Sequence, residues 1–421
     1  MNVQEYLNGF YKGTRKPTLD AMKFLMEKYH HLEKTLKVIH VAGTNGKGSC
    51  TEMMTNILVS CGYKVGKFIS PHLITYNERI SINHQLITDM QIEELILELE
   101  PFIEEYEEIH KSKITLFELE TTIALLFFYR NNCDFVVLEV GLGGLYDSTN
   151  IIESPIISII NSIGYDHMHI LGNTLSEIAR QKAGIIKENS HTVFIEQEKE
   201  VNQVIKNICE QKNNDLHLIG KVDIQNYTYN MEFQKFDYRN YSQIEINLKG
   251  KKQIYNASLC LEAVNILKQY YPMPEKGVRA GLKTVVHKAR FEKLHENPTI
   301  IYDGAHNEPA VDNLKNSVNM YYPNSKKVYI VSILNTKDYQ SMLKKLITNS
   351  DDIYIFTSGN HSKYVLKEEL FQKAKKIGKN NNLYQYELQE ALKIVLEKYK
   401  DYTIFIIGSF YVYGDVVKFL K

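Results

Sequence analysis

The chain has 421 residues, more than one hydrophobic core ordinarily organises, and 44% of them are apolar, so two well-packed domains are expected. Fifty Lys and Arg balance fifty Asp and Glu, which leaves no global field to attract nucleic acid or an anionic membrane surface. No apolar run approaches a bilayer span, Met1-Asn-Val-Gln-Glu lacks the regions of a signal peptide, and five cysteines (Cys50, Cys61, Cys133, Cys209, Cys260) are scattered without Cys-x-x-Cys or Cys/His spacing, so a cytoplasmic chain with neither disulfide framework nor zinc site is expected.

In chain order, β-branched runs at residues 38–42, 64–69, 135–140, 155–160 and 192–195 read as strands. They alternate with helical patterns at 46–60, 89–106, 116–130 and 174–182, the last opened by Thr174 as N-cap with Glu177 three residues on. This alternation predicts a mainly parallel sheet flanked by helices. Residues 215–255 change to a polar, tyrosine-containing alternation such as Tyr227-Thr-Tyr-Asn-Met-Glu-Phe, which predicts antiparallel strands added to the main sheet. Helices follow at 256–270 and 276–284. A second α/β series has strands at 299–302, 326–331, 352–356 and 402–407, with the break near 287–291. The expected class is therefore α/β: a P-loop-type, mainly parallel domain over residues 1–287, then a smaller Rossmann-like domain over 288–421.

The first functional stretch is Ile39-His-Val-Ala-Gly-Thr-Asn-Gly-Lys-Gly-Ser49, an apolar strand running into a glycine loop with one lysine and then a helix. Such a loop cradles phosphate. Gly43, Gly46 and Gly48 are expected to take the positive φ values that aim successive amide N–H groups at one anion, while the helix N-terminus and Lys47 supply positive charge. Thr44, Asn45 and Ser49 complete the loop. It is a variant of G-x-x-x-x-G-K-[ST], because Val41 stands at the first glycine and Gly48 directly follows the lysine.

The second stretch, Asp134-Phe-Val-Val-Leu-Glu-Val-Gly-Leu-Gly-Gly144, is a strand ending in a carboxylate followed by glycines. Glu139 is thereby placed at the carboxyl edge of the sheet, where open α/β folds bind nucleotides, and can hold Mg²⁺. Ser70 in Ser70-Pro-His-Leu and His167 in Ser162-Ile-Gly-Tyr-Asp-His follow neighbouring strands and belong to the same edge. Each alone has a plainer reading, as a turn serine, a structural histidine or an exposed strand-end glutamate.

In this order, the glycine loop, Ser70-Pro-His-Leu with Glu78-Arg-Ile, Phe117-Glu with Thr121, Glu139-Val-Gly-Leu-Gly-Gly, Ser162-Ile-Gly-Tyr-Asp-His and Lys182-Ala-Gly-Ile-Ile-Lys resemble the signatures of the folylpolyglutamate synthase/dihydrofolate synthase family of the Mur ligase superfamily. The resemblance covers most of the chain. It implies an ATP-dependent ligase that adds L-glutamate to a folate or dihydropteroate carboxylate through an acyl phosphate. It also implies two Mg²⁺ sites, the first on Ser70 and Glu139 and the second on His167 with Glu139, and a carbamylated Lys182. A carbamate would turn a cation that repels Mg²⁺ into an anionic oxygen donor.

Further matches carry further implied roles. Gln253-Ile-Tyr-Asn256-Ala resembles Q-x-x-N-A, with Asn256 on the adenine, although Asn256 is equally suited to capping the helix predicted to start there. Lys288-Ala-Arg290-Phe-Glu292 stands where the family has P-G-R-x-E, with Arg290 on the ATP phosphates. Asp303-Gly-Ala-His306-Asn307 resembles D-G-A-H-N, with Asp303 on the ribose and His306 beside the amine. Ser409 in Gly408-Ser-Phe-Tyr is implied in glutamate binding.

Two departures stand out: Leu145-Tyr146 occupies the place of an arginine in G-L-G-G-R-x-D, and Leu334-Asn-Thr-Lys337-Asp338 only partly resembles D-K-D. The alternatives to the folate ligase are a Mur-type amide ligase for another carboxylate and a catalytically silent nucleotide-binding regulator. Expected partners are small molecules only, with the chain a monomer.

Overall fold

A computed structural model of the protein describes residues 3–10, 18–359, 363–378 and 380–421. Met1 and Asn2, on which part of the amino-terminal reading rests, lie outside the described residues. The chain forms two compact units, one of Met1–Tyr227, Lys235–Ile246 and Tyr255–Val285, the other of Thr228–Gln234, Asn247–Ile254 and Val286–Lys421.

In the first unit, strands β1 (Val38–Ala42), β2 (Val65–Phe68), β3 (Ile80–Ile82), β4 (Gln85–Leu86), β5 (Phe135–Glu139), β6 (Ile157–Ile160), β7 (His191–Ile195) and β8 (Asp215–Ile219) make one sheet in the order β4-β3-β2-β5-β1-β6-β7-β8. The pairings from β2 through β8 are parallel, whereas β3 pairs antiparallel with β2 and β4. β1 and β5 are buried along their whole length, which is why both read as unbroken apolar runs. Helices α1 (Val3–Gly9), α2 (Asp20–Lys28), α3 (Lys47–Ser60), α4 (Asp89–His110), α5 (Leu116–Arg130), α6 (Met168–Leu171), α7 (Leu175–Lys182) and α8 (Lys199–Gln211) accompany them. One core packs α2, α4 and α5 with Phe68, Val136 and Leu138; another packs α7 and α8 with Ile160 and Phe194. Thr88, Thr115 and Thr174 each open a helix with a reciprocal capping box, so three starts are fixed by local chemistry.

The stretch after β7 corrects the expectation of strands added to the main sheet. Residues 215–219 do join it, as the parallel edge strand β8, but β9 (Ile224–Tyr229), β10 (Gln234–Tyr238) and β11 (Tyr241–Ile246) form a separate three-stranded sheet. In β10 the residues Gln234, Phe236 and Tyr238 are buried and their alternates are not, so this sheet has one covered face of its own. The next helix, α9 (Lys251–Leu267), starts upstream of the predicted residue 256, so Asn256 lies within the helix and does not cap it. Helix α10 (Glu275–Thr284) lies directly on α3: a Cβ on Gly281 would fall 2.5 Å from the Ile57 Cα, and one on Gly277 2.7 Å from the Ser60 carbonyl oxygen. These glycines let α10 back the helix that carries the phosphate loop.

The second unit holds β12 (Glu292–His295), β13 (Ile300–Asp303), β14 (Lys326–Val331), β15 (Ile353–Phe356), β16 (Leu383–Gln385) and β17 (Tyr402–Ile407) in the order β12-β13-β17-β14-β15-β16. All pairings are parallel except that of β12 with β13. Helices α11 (Glu308–Tyr321), α12 (Tyr339–Leu346), α13 (Lys367–Ile377), α14 (Leu388–Lys398) and α15 (Tyr413–Leu420) complete it. The two strands absent from the sequence reading, β12 and β16, are the sheet's edges, short and partly exposed.

Candidate active site

The glycine loop links β1 to α3. Gly43 has φ 149° and Gly46, the residue before the first turn of α3, has φ 92°. The expectation of positive φ fails for Gly48, which lies inside the first turn of α3, where right-handed helical backbone requires negative φ. Close approach reinforces the two glycines that matter. A Cβ on Gly43 would sit 2.6 Å from the Asn161 Cβ, and one on Gly46 2.7 Å from Asn256 Oδ1 and 2.8 Å from Asn161 Nδ2. Asn161 Nδ2 donates to Asn256 Oδ1 at 3.0 Å, so the amide expected on the adenine is held against the loop. On the β6 side, Thr44 N–H donates to the Ser162 carbonyl at 2.8 Å, and Thr44 Oγ1 donates to the Gly164 carbonyl and accepts from its N–H, each at 3.0 Å.

Two lysines converge on one atom. Lys47 Nζ donates to the Gly43 carbonyl oxygen at 3.1 Å, and Lys182 Nζ, from the end of α7, donates to the same oxygen at 2.9 Å. Lys182 is only 4% exposed. The signatures around residues 43–49 and 182, far apart in sequence, therefore meet at the mouth of the loop.

The sheet register aligns the acidic edge with it. Val41 pairs with Glu139, so Glu139 ends β5 beside the start of the loop, and Phe68 pairs with Leu138, which brings Ser70 to the same edge. Ser70 N–H donates to Glu139 Oε2 at 3.4 Å, and Glu139 is buried. His167 follows β6; its N–H donates to Asp166 Oδ1 at 2.9 Å, its Nε2 lies 3.7 Å from the same oxygen, and its ring is partly exposed. Among the described residues no three His, Cys, Asp or Glu side chains gather into a metal-binding group. A buried carboxylate and a serine beside a phosphate loop nevertheless fit Mg²⁺, which retains waters and takes phosphate oxygens as further ligands.

The glycine run after Glu139 is clamped by Asp147, the acid of the G-L-G-G-R-x-D pattern, with Thr149, and by His40, to which the sequence reading gave no role. Asp147 accepts from Leu142 N–H at 2.8 Å, Thr149 N–H at 3.1 Å and Thr149 Oγ1 at 2.5 Å, and Thr149 Oγ1 lies 2.8 Å from His40 Nε2. Burial pushes the Asp147 carboxyl up, against those hydrogen bonds and the charge of Lys47. Burial, then the charge of Lys187, pushes His40 down to about 3, so its ring is neutral. A histidine inside an otherwise apolar strand was the available signal. Asn150 Nδ2 donates to the Leu145 carbonyl at 2.9 Å and the Gly184 carbonyl at 3.2 Å, and Leu145 N–H donates to the Gln181 carbonyl at 2.7 Å. The loop is thus anchored to the end of α7 without the family's arginine, and Leu145 and Tyr146 are exposed.

The Ser70-Pro-His72 loop is held from behind as well. Glu78 accepts from the N–H groups of Leu73 at 2.8 Å and of Ile74 and Thr75 at 3.2 Å. Arg79 Nε donates to His72 Nδ1 at 3.0 Å, and its Nη1 donates to Glu120 Oε2 at 2.7 Å.

In the second unit, Asp303 ends β13 and Oδ2 accepts from Phe291 N–H at 2.9 Å. Burial pushes its carboxyl up to about 6, with the Arg290 charge pulling the other way. Phe410, which the motifs did not single out, organises the cluster: the Arg290 guanidinium lies 4.4 Å from its ring centre and the His306 ring 5.2 Å. A Cβ on Gly304 would fall 1.8 Å from that ring, so glycine is required there. His306 Nδ1 lies 2.7 Å from the Gly304 carbonyl, its hydrogen-bond acceptor, and Asn307 caps α11 by accepting from Ala310 N–H at 3.0 Å. Ala289, at the place of the family's glycine, has φ 56°, and Phe291 φ 47°. The turn survives without glycine because Gly304 N–H donates to the Ala289 carbonyl at 2.9 Å and Ala289 N–H to Glu292 Oε2 at 2.6 Å. Ser409 is buried; its Oγ accepts from Tyr411 N–H at 3.1 Å and lies 3.2 Å from the Tyr364 hydroxyl.

A variant phosphate loop facing a strand-end glutamate, followed by a second parallel α/β unit, defines a nucleotide-dependent ligase of the Mur type. Residues 41–264 match the Mur ligase middle domain and residues 287–419 the dihydrofolate synthetase C-terminal domain. The chain is 35% identical to the dihydrofolate synthase/folylpolyglutamate synthase of Bacillus subtilis over 100% of its own length and 99% of that protein's. The crystal structure of folylpolyglutamate synthase from Thermotoga maritima superposes with a TM-score of 0.85 at 30% identity, covering 99% of this chain and 96% of that one. That of the Mycobacterium tuberculosis enzyme, complexed with ADP and AMPPCP, superposes with a TM-score of 0.89 at 25% identity over 99% and 97%. The chain belongs to the folylpolyglutamate synthase/dihydrofolate synthase family of ATP-dependent ligases.

Proposed function

We propose that this chain joins the amino group of L-glutamate to the carboxylate of dihydropteroate, of a reduced folate, or of both, at the expense of ATP. The observation that carries the reading is the convergence of Lys47 and Lys182 on the Gly43 carbonyl, beside the buried end of β5 at Glu139. A carboxylate is a poor electrophile, and activation by phosphoryl transfer supplies a better leaving group. The acyl carboxylate attacks the γ-phosphoryl group in line, giving an acyl phosphate and ADP. Loop N–H groups, Lys47 and Arg290 stabilise the charge that moves. The free amine of glutamate, oriented by His306, then attacks the acyl carbon and phosphate leaves. Asn256 takes the adenine edge, Asp303 the ribose and Ser409 the glutamate.

Ser70, Glu139, His167 and Lys182 would hold Mg²⁺ at two sites, where the ion neutralises phosphate charge. Lys182 would do so as a carbamate, formed when its neutral amine adds CO₂ and releases a proton. In this reading the glycine loop, Asn256 and the residues around Glu139 bind ATP and the acyl substrate, Arg290 and Asp303 add contacts to the nucleotide, and His306 and Ser409 handle the amine. The reading includes a cytoplasmic, monomeric enzyme; its five cysteines are free, and among the described residues no helix is long and apolar enough to cross a membrane.

The test is ADP release dependent on an acyl substrate and an amine together, with dihydropteroate and tetrahydrofolate as acyl substrates and L-glutamate set against a panel of other amines. Glutamate-specific turnover with either pterin substrate supports the reading. Turnover with neither sinks it. The exposed Leu145-Tyr146, in the place of an arginine, favours one second reading, a Mur-type ligase for a different carboxylate, which the same panel separates by acyl preference.

A further inference from the structure

The loop after β2 contains a relay that the assigned roles do not use. Glu120 in α5 is buried at 1% exposure, and its Oε2 accepts from Arg79 Nη1 at 2.7 Å; Arg79 Nε in turn donates to His72 Nδ1 at 3.0 Å. A guanidinium has donors and no acceptor, so the atom it faces must present a lone pair. His72 Nδ1 therefore carries no proton, and in a neutral ring the proton sits on Nε2. Among the described residues Nε2 has no hydrogen-bond partner. The ring is half-buried two residues beyond Ser70, whose N–H donates to Glu139, and Glu78 fixes the backbone just past it through three N–H groups.

We propose that His72 is a substrate-binding residue of the ligase, whose Nε2–H, fixed by the Glu120–Arg79 relay, donates to a carboxylate oxygen of the acyl substrate. The inference rests on the ligase reading and deepens it. The fixed tautomer separates two roles that a histidine at this edge can play. Coordination of a cation by Nε2 needs its lone pair, which the relay assigns to Nδ1 instead, so His72 is a donor and the metal role stays with His167. A neutral donor also suits the chemistry. It orients the carboxylate without transferring a proton to it, and so leaves the attacking oxygen nucleophilic.

The test has two arms. In ¹⁵N-histidine NMR of the full chain, the signal lost in His72→Phe should be that of a neutral ring protonated at Nε2. It should stay so on addition of Mg²⁺ and ATP, and its Hε2 should shift on addition of dihydropteroate. A ring protonated at Nδ1, or one that responds to the metal and not to dihydropteroate, overturns the proposal. In kinetics, His72→Phe should raise KM for the acyl substrate about tenfold, with KM for ATP and glutamate within about twofold. His72→Gln, which keeps an N–H donor, should recover most of the loss. An unchanged acyl KM in folded His72→Phe, or an equal rise in all three constants, overturns it. Should His72→Phe not fold, His72→Gln identifies the signal and the NMR arm decides. That arm needs no turnover, so an inactive wild-type protein would count against the ligase reading alone.

Discussion

The carboxyl edges of the two sheets solve the same problem, holding backbone in unusual conformations beside charged groups, by different means. In the glycine loop and in the run after Glu139 at the first edge, the left-handed positions are glycines, Gly43, Gly46 and Gly143, and neighbouring atoms pack into the space a Cβ would fill. At the second they include Ala289 and Phe291, residues that pay steric energy to be there, and two carboxylates, Glu292 three residues on and Asp303 at the end of β13, hold their N–H groups in place. The turns of the first edge are written in residue type, whereas the turn of the second depends on hydrogen bonds to acids and so is sensitive to their state.

The largest effect should follow from striking the first edge at its charge. Lys47→Ala should lower kcat by about a thousandfold or more while leaving the circular dichroism spectrum intact, because the loss falls on moving phosphoryl charge and not on packing. Turnover near wild type would remove Lys47 from its assigned role. Gly46→Ala comes next. Its Cβ would overlap both Asn256 and Asn161 at a positive φ, so binding of a fluorescent ATP analogue should weaken by tenfold or more, with about 1–3 kcal/mol of stability lost in urea unfolding. Unaltered affinity would show that the loop does not depend on close approach.

The second edge should answer to pH instead. The folded-state pKa of Asp303, about 6, lies above its ordinary value of 3.8, so the folded protein holds a proton the unfolded chain releases between those values. Its contribution to stability therefore rises as pH falls from about 6 to about 4 and is absent well above pH 6, the reverse of a salt-bridged carboxylate. Asp303→Asn should flatten that segment of the stability profile measured by chemical denaturation at fixed pH values; an identical slope would refute the burial account. The smallest effect is expected at Ala289→Gly. Relief of left-handed strain should outweigh the extra unfolded-state freedom by about 0.5 kcal/mol, read as a small rise in the denaturation midpoint, whereas a fall would show that Ala289 is not strained.

This contrast also explains what the sequence disclosed. Positions whose conformation demands a particular residue were legible: Gly43, Gly46 and the Thr174–Glu177 capping box each state a local geometry in one or two letters. So were strands with unbroken apolar runs, such as β1 and β5. Gly48 misled because a glycine permits a positive φ without requiring one. The edge strands β4, β12 and β16 are too short or too polar to carry a period. The placement of residues 224–246 in a sheet of their own depends on which layer covers them, which alternation does not specify. The groups missed at the sites are long-range partners: His40 meets Thr149 across 109 positions of sequence, and Phe410 reaches Arg290, His306 and Gly304 only once β17 lies beside β13.

The account rests on the glycine loop and the end of β5 serving one magnesium nucleotide. Isothermal titration of MgATP into Glu139→Gln, compared with metal-free ATP into the wild-type protein, addresses that directly. The account predicts that each gives the same weakened affinity, about tenfold or more below that of MgATP for the wild type, because the carboxylate acts through the metal. If Glu139→Gln bound MgATP as tightly as the wild type, the central claim would be contradicted.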